Sequence, residues 1–350
     1  MYDIAKNTDS SVRLWLLVNS VMIIVMVVIG GTTRLTDSGL SMIDWSFFKG
    51  ILPPLNEASW QTLFNEYKKF PEYKLINYDI DLSEFKKIFF WEYVHRIWGR
   101  LIGITFFLPF SYFLLKKKLS IKLLKILFVV FILGMFQGFM GWYMVESGLQ
   151  REPNVSQYRL AAHLSVAFLI YSILLFLSWN QFNSRNNKLV SELNITLKNQ
   201  MILCYFLVFL TIILGAFVAG TNAGLAYNNF PFMGDTFLPP EAFRINPWWK
   251  NFFENVSLIQ FDHRVVATIT LLIISYTWFS NLKKIHCKTI KILLNCLIII
   301  TSLQYGLGVL TLVFYVPIGL GVIHQLGSLI LLSIIVLIIS EIYTKKKGII

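Results

Sequence analysis

Four ionisable side chains lie close together at the start of one long apolar segment of the sequence. They are Glu92, His95, Arg96 and Arg100, and on a helix they would fall within three turns. Ionisable groups inside a membrane helix are costly unless they are paired or bind a ligand, so they indicate a functional site. A related motif begins a later apolar segment, where His263 is again followed by an arginine. The recurrence predicts two related sites in one chain.

Four histidines occupy equivalent places near the start of four predicted helices. They are His95, His163, His263 and His324, with 68 residues between the first two and 61 between the last two. Two histidines at one depth on different helices are typical of a flat metallomacrocycle held from both faces. Two imidazoles alone would underfill a tetrahedral zinc site, which favours haem. The alternative is that the histidines only form hydrogen bonds between helices.

The residues beside the histidines differ between the two motifs. Glu92 and His95 share a helix face because they are three residues apart, and the place of Glu92 is taken by Gln260 in the second motif. This difference predicts acid–base chemistry at the first site and cofactor binding at the second. The alternative is that Glu92 only pairs with Arg96. Arg96 and Arg264 are expected either to bind haem propionates or to extend to lipid headgroups.

The composition is that of a membrane protein. Of the 350 residues, 56% are hydrophobic and 14% are charged, and the mean hydropathy is +0.62. Apolar runs of roughly 20 residues predict helices that cross a bilayer and satisfy their own backbone hydrogen bonds there. The predicted fold class is therefore all-α and polytopic. Eight spans are predicted, at residues 14–33, 89–115, 122–145, 158–179, 199–219, 259–280, 290–316 and 320–342.

The net charge of +12 is distributed unequally between the two sides of the membrane. With the N-terminus inside, the inner segments hold 17 Lys and Arg against 4 Asp and Glu, whereas the outer segments hold 11 against 13. This asymmetry follows the positive-inside rule, so both termini are expected in the cytoplasm and nucleic-acid binding is not indicated. The 13 residues before Leu14 are few for a transit peptide. A bacterial inner membrane is therefore expected.

The order of motifs in the first half of the chain recurs in the second half. A glycine-containing turn follows the first span at residues 30–40, and a similar one follows the fifth span at residues 219–225. Each half contains four predicted spans, so both copies would have the same orientation in the membrane. We predict two parallel-repeat four-helix bundles, an N-terminal unit of residues 1–190 and a C-terminal unit of residues 191–350.

Four motifs together resemble those of the haem A synthase family. They are Glu92-Tyr-Val-His-Arg-Ile-Trp-Gly-Arg100, Gly30-Gly-Thr-Thr-Arg-Leu-Thr-Asp-Ser-Gly-Leu40, Ala219-Gly-Thr-Asn-Ala-Gly-Leu225 and Phe261-Asp-His-Arg264. The resemblance covers practically the whole chain. Because no cysteine lies in an outer loop, it is closest to the cysteine-lacking branch of proteobacteria and mitochondria. It implies oxidation of a ring methyl group of haem O to a formyl group, which gives haem A for cytochrome oxidase.

The resemblance also implies roles for individual residues. His95 and His163 would bind the iron of the substrate haem O, and His263 and His324 would bind the iron of a haem b cofactor. Glu92 matches the essential acidic residue of the family and would accept a proton or stabilise positive charge at the methyl carbon. A haem O synthase (protohaem farnesyltransferase) is an expected partner, and the electron-transfer partner is not indicated.

Two other functions fit part of the sequence. A dihaem b-type electron-transfer protein would use the same histidines, but electron transfer across a bilayer needs cofactors at more than one depth. The four histidines here are predicted to lie at one depth, which suits a substrate beside a cofactor. A transporter or a haem-insertion chaperone is a third possibility, and the lack of broken helices in the sequence argues against transport.

Overall fold

Eight long helices dominate the computed structural model, which describes residues 10–43, 50–150, 155–183 and 195–344. All eight are long and apolar enough to cross a membrane. No β-strand occurs within these ranges, so the predicted all-α polytopic fold is confirmed. The helices, including three short ones, are α1 Ser10–Leu35, α2 Glu57–Tyr67, α3 Pro71–Leu75, α4 Leu82–Leu115, α5 Ile121–Gln150, α6 Gln157–Asn183, α7 Ile195–Gly220, α8 Asn251–Glu254, α9 Val256–Asn281, α10 Lys288–Val313 and α11 Ile318–Thr344.

The predicted spans agree with the long helices in number and order, but α4 begins well before the predicted residue 89. Its start is fixed by a capping box. The side chain of Asp81 accepts a hydrogen bond from the backbone N–H of Glu84 at 2.8 Å, and the carboxylate of Glu84 accepts one from the N–H of Asp81 at 3.3 Å. A capping box starts a helix in polar sequence, where hydropathy gives no signal. α4 therefore extends ahead of its apolar part.

The segment between α1 and α4 packs on this early part of α4. Phe64 and Tyr67 of α2 lie against Phe85 of α4, with ring centroids 5.1 and 5.0 Å apart. Phe85 and Tyr67 are fully buried, and Met42 belongs to the same cluster. α3 contacts α5. This aromatic cluster therefore fixes the segment that follows α1 against the helix that carries His95.

The long helices pair in the same way in both halves of the chain. In the first half α1 and α5 each contact α4 and α6, and in the second half α7 and α10 each contact α9 and α11. The halves are joined because α1 also contacts α11, while α6 contacts both α7 and α11. These contacts are compatible with two four-helix units. The division into residues 1–190 and 191–350 remains a prediction.

The backbone conformation also repeats where α1 and α7 end. Asp37 and Asn222 take the same place after their helices, and both have positive φ values, 47° and 54°. Asp and Asn adopt this left-handed conformation more readily than other residues with a side chain. The two turns continue as Ser38-Gly39-Leu40 and Ala223-Gly224-Leu225. The repeat in the sequence therefore corresponds to a repeat in conformation.

Glu72 of α3 is an acidic residue buried outside the spanning helices. It is 4% exposed, and its Oε2 accepts a hydrogen bond from the hydroxyl of Tyr67 at 2.9 Å. Asn77 donates to the oxygen of that hydroxyl at 2.8 Å. Burial raises the pKa of Glu72 to about 8, with a further contribution from the negative charges of Glu92 and Asp37 and an opposing one from the Tyr67 hydrogen bond.

This raised pKa predicts that the segment around α2 and α3 is less stable at higher pH. The unfolded chain releases the proton of Glu72 near the ordinary glutamate pKa of about 4.3, whereas the folded segment keeps it until about pH 8. Stability is therefore lost as the pH rises through this interval and changes no further above it. We expect amide hydrogen exchange of α2 and α3, corrected for intrinsic rates, to be faster at about pH 8 than at about pH 5.

Glu72→Gln should remove this pH dependence. Glu66→Gln is the matched control, because Glu66 is an exposed glutamate of the same segment, and it should leave the dependence unchanged. Equal protection at both pH values in the wild-type protein would contradict the prediction.

Candidate functional site

The four candidate histidines lie on four different spanning helices and form two pairs. His95 is on α4, His163 on α6, His263 on α9 and His324 on α11, and all four are partly buried. The ring of His95 lies within electrostatic range of His163, and the ring of His263 lies within range of His324. The structure therefore brings together the same pairs of imidazoles that the spacing in the sequence indicates.

Glycines of the preceding long helices make room for the first ring of each pair. A Cβ atom at Gly30 of α1 would lie 3.1 Å from Cε1 of His95, and one at Gly215 of α7 would lie 3.2 Å from Cε1 of His263. Both distances are tighter than ordinary van der Waals contact, so a larger residue would displace the ring. Gly30 and Gly215 take corresponding places before the two repeated turns. The positions of His95 and His263 thus depend on these glycines.

The ring nitrogens are short of hydrogen-bond partners within the protein. Nδ1 of His95 and Nδ1 of His163 are buried and have no partner among the described residues. Nδ1 of His263 lacks a hydrogen bond of normal geometry, although the backbone of Thr211 lies beside it. Nδ1 of His95 and Nδ1 of His163 therefore do not form the hydrogen bonds between helices that the alternative interpretation requires. Buried polar atoms without partners are rare and call for another explanation.

Gln137 and Gln304 contact the second histidine of each pair. Nε2 of Gln137 on α5 donates to the backbone carbonyl of His163 at 2.7 Å. Nε2 of Gln304 on α10 donates to the backbone carbonyl of His324 at 2.8 Å, and it also lies 3.1 Å from Nδ1 of that ring. Neither glutamine is among the residues predicted for the site. The signal that identifies them is a polar amide that recurs at the same place in two apolar helices.

Glu92 is buried and engaged by three groups. One oxygen accepts a hydrogen bond from the guanidinium of Arg96, and the other accepts bonds from the hydroxyl of Ser41 and the backbone N–H of Met42, each at 2.7 Å. Arg96 also donates to the carbonyl of Met42 at 2.8 Å. The carboxylate thus forms the ion pair of the alternative interpretation and is fixed to the turn after α1 as well. None of these three donors belongs to His95.

The second site repeats this network without the carboxylate. Arg264 donates to the backbone carbonyls of Tyr227 at 2.8 Å and Asn229 at 3.0 Å, with a weaker contact to that of Phe232 at 3.3 Å. Gln260 donates from Nε2 to the carbonyl of Tyr227 at 3.0 Å and accepts a bond from Arg264 at 3.2 Å. A neutral amide therefore occupies the place that the carboxylate has in the first site.

Arg96 thus holds the turn that follows α1, and Arg264 holds the turn that follows α7. Arg96 binds the carbonyl of Met42 and Arg264 binds that of Tyr227, and these two residues take corresponding places in the repeat. The side chain of Arg96 is buried and that of Arg264 is partly buried, and both donate to backbone oxygens. Their roles toward haem propionates or lipid headgroups remain predictions.

Each histidine pair offers two imidazole rings that could act as metal ligands. Within the described ranges, no group of three or more His, Cys, Asp and Glu side chains is placed to hold a metal ion. None of the cysteines Cys204, Cys287 and Cys296 forms a disulfide bond. A haem iron needs only two axial ligands from the protein, whereas zinc in a structural site takes four.

Comparison with known proteins identifies the family. The sequence matches the COX15-CtaA family, described as cytochrome oxidase assembly protein, over residues 13–336. The chain belongs to this family.

Several named members of this cytochrome oxidase assembly family are similar to this chain over most of their length. A protein named heme A synthase from Nitrosospira multiformis is 43% identical over 327 residues, which cover 92% of this chain and 90% of that protein. Heme A synthase COX15 of Arabidopsis thaliana is 43% identical, with coverage of 93% and 73%. Heme A synthase COX15 of Bos taurus is 40% identical, with coverage of 98% and 84%.

The buried ion pair predicts an unequal effect of two alanine substitutions. Glu92→Ala removes the carboxylate that pairs with the buried Arg96 guanidinium, and breaking a buried ion pair by removing one partner should cost about 3 to 5 kcal/mol. Gln260→Ala at the corresponding place removes only a neutral amide and should cost about 1 kcal/mol. Unfolding of the purified protein in detergent measures both values.

Arg96→Met combined with Glu92→Ala removes both partners of the ion pair and should cost less than Glu92→Ala alone. A Glu92→Ala variant that is as stable as Gln260→Ala would show that the ion pair of Glu92 and Arg96 does not stabilise the fold.

Proposed function

We propose that this protein is a haem A synthase, which oxidises a ring methyl group of haem O to the formyl group of haem A. Relatives from bacteria, a plant and an animal carry this name. The observation that carries the proposal is the difference between the two histidine pairs. Glu92 is buried one helical turn from His95, whereas the corresponding residue near His263 is Gln260. One site is thus equipped for acid–base chemistry and the other for holding a cofactor.

The two histidine pairs fit haem groups held from both faces. Nδ1 of His95 and Nδ1 of His163 are buried without a protein partner, as expected of rings that have a role other than packing. We assign His95 and His163 to the iron of the substrate haem O. We assign His263 and His324 to the iron of haem b. Bound haem b would supply a one-electron redox centre.

Glu92 is proposed to take up protons from the methyl carbon as it is oxidised. Its Oε2 accepts the hydrogen bond of the Ser41 hydroxyl, so a proton could pass from the carboxylate to the turn after α1. Arg96 holds the carboxylate in position, and this ion pair is compatible with proton transfer. The amide of Gln260 cannot take up a proton in this way, so the second site is suited to binding rather than to reaction.

We infer that the protein lies in a bacterial inner membrane with both termini in the cytoplasm. Eight helices that could span a membrane support multi-pass insertion, and the basic residues of the predicted inner segments support the orientation. The turns after α1 and α7 would then lie toward the periplasm, with the histidines below them. A haem O synthase, protohaem farnesyltransferase, would supply the substrate.

Chromatography of extracted haems tests this activity. Cells that make haem O and lack a haem A synthase should accumulate haem A only when this protein is co-expressed. Recovery of haem O alone would refute the proposed activity and favour the dihaem electron-transfer protein.

Glu92→Gln places the amide of the second site in the first, so it tests the carboxylate with little change in shape. We expect it to keep the bound haem b and to lower haem A formation by about 100-fold or more. Glu341→Gln is the matched control, because Glu341 is also buried in a spanning helix. It lies near the end of α11 that is far from His324, and it accepts a hydrogen bond from Trp179 there. This control should form haem A at the wild-type level. Full activity in Glu92→Gln would exclude the proposed role of the carboxylate.

Substitution of the histidines should separate the two sites. We expect His263→Ala and His324→Ala to remove the b-type absorbance of the purified protein, because each change deletes an axial ligand. His95→Ala and His163→Ala should keep that absorbance and lose haem A formation. The assignment of the sites would be wrong if the b-type absorbance depended on His95 and His163 instead.

A further inference from the structure

The second histidines of the two pairs are held differently. The amide of Gln304 contacts His324 at two points, the backbone carbonyl at 2.8 Å and ring atom Nδ1 at 3.1 Å. The amide of Gln137 contacts only the backbone carbonyl of His163. Oε1 of Gln137 and Nδ1 of His163 are both buried without a partner in the part of the chain that is described. The ring of His324 is therefore held by an amide, whereas Nδ1 of His163 is not.

A residue three positions after each histidine differs between the two halves. A Cβ atom at Gly327 would lie 2.1 Å from Oε1 of Gln304, so this amide occupies space that any side chain at position 327 would fill. In the first half of the chain, Val166 stands three positions after His163. The contact of Gln304 with His324 therefore depends on a glycine where the first half has a valine.

The chemistry of a haem-binding imidazole gives the difference a consequence. A histidine that binds iron through Nε2 carries its hydrogen on Nδ1, and an acceptor for that hydrogen fixes the tautomer and the ring orientation. The amide of Gln304 lies within hydrogen-bond distance of Nδ1 of His324, and a half-turn of the amide would present its oxygen to that hydrogen in place of the bond that Nε2 donates to the His324 carbonyl. Among the described residues, Nδ1 of His163 has no such amide partner.

We propose that Gln304 is a positioning residue that keeps His324 on the haem b iron, and that His163 is the exchangeable ligand of the substrate site. This inference rests on the proposed function, because it takes the four histidines as haem ligands. A cofactor site has no need to release its haem, whereas a site that turns over must accept haem O and release haem A. The ring that no amide holds belongs to the site that must exchange its haem.

The redox potential of haem b tests the role of Gln304. A hydrogen bond from Nδ1 makes the imidazole a stronger donor to iron and stabilises the oxidised state. Gln304→Leu in the full-length protein should therefore raise the midpoint potential of haem b and speed its transfer to apomyoglobin by about 10- to 100-fold. Gln137→Leu is the matched control and should leave both properties of haem b unchanged.

Gly327→Ala tests the same contact from the opposite helix. Its Cβ would push the amide of Gln304 away from the ring, so the potential and the haem transfer should shift in the same direction as in Gln304→Leu. Gly319→Ala is the control on the same helix, because a Cβ there meets nothing within 4 Å. Val166→Gly gives the first half the glycine that the second half has three positions after its histidine, and it should slow the loss of haem O from the N-terminal site.

The outcomes separate this inference from the proposed function. Wild-type protein that purifies without haem b would overturn both. If haem b is present and neither Gln304→Leu nor Gly327→Ala alters its potential or its retention, the inference alone is overturned. The same holds if Gln137→Leu shifts the haem b potential as much as Gln304→Leu does, because the two glutamines would then not act on separate sites.

Discussion

The arrangement of both sites depends on one interaction, the hydrogen bonding of the arginine that follows the first histidine to the turn after the neighbouring helix. Arg96 holds the carbonyl of Met42, and Arg264 holds the carbonyl of Tyr227. A guanidinium inside a spanning helix is stable only where acceptors surround it, because hydrocarbon offers none. Each arginine therefore fixes its own helix against the preceding long helix. The histidine one residue earlier is fixed by the same contact, so the ring and the turn cannot move independently.

The two sites share this framework and differ in the residues closest to the rings. A carboxylate at Glu92 corresponds to an amide at Gln260, and a side chain at Val166 corresponds to open space at Gly327. Neither difference changes the helix positions, because the glycines and arginines that set those positions are present in both halves. A duplicated framework of this kind allows one copy to keep a group bound while the other copy acquires reactive residues.

The spans and the four histidines could be predicted from sequence because each is a local feature. A run of apolar residues is enough to indicate a spanning helix, and the histidines recur at the start of such runs. The ion pair of Glu92 with Arg96 could be predicted from their spacing of four residues. The bonds of Glu92 to Ser41 and Met42 could not, because these residues lie in a turn whose position depends on the packing of aromatic residues from α2 and α4. The contact of Gln304 was equally hidden, because it exists only where Gly327 leaves space on another helix.

The two sites also meet through a single helix. In α1, Gly30 makes room for the ring of His95, and a Cβ at the next residue, Gly31, would lie 2.4 Å from Oε1 of Gln325. Gln325 directly follows His324 on α11, so adjacent glycines of one helix contact the histidine helices of both sites. The spanning helices on either side of α1 can approach so closely only because both residues lack a side chain. A displacement of α1 would therefore move the surroundings of both imidazoles, which gives a physical reason for the two sites to be built into one chain.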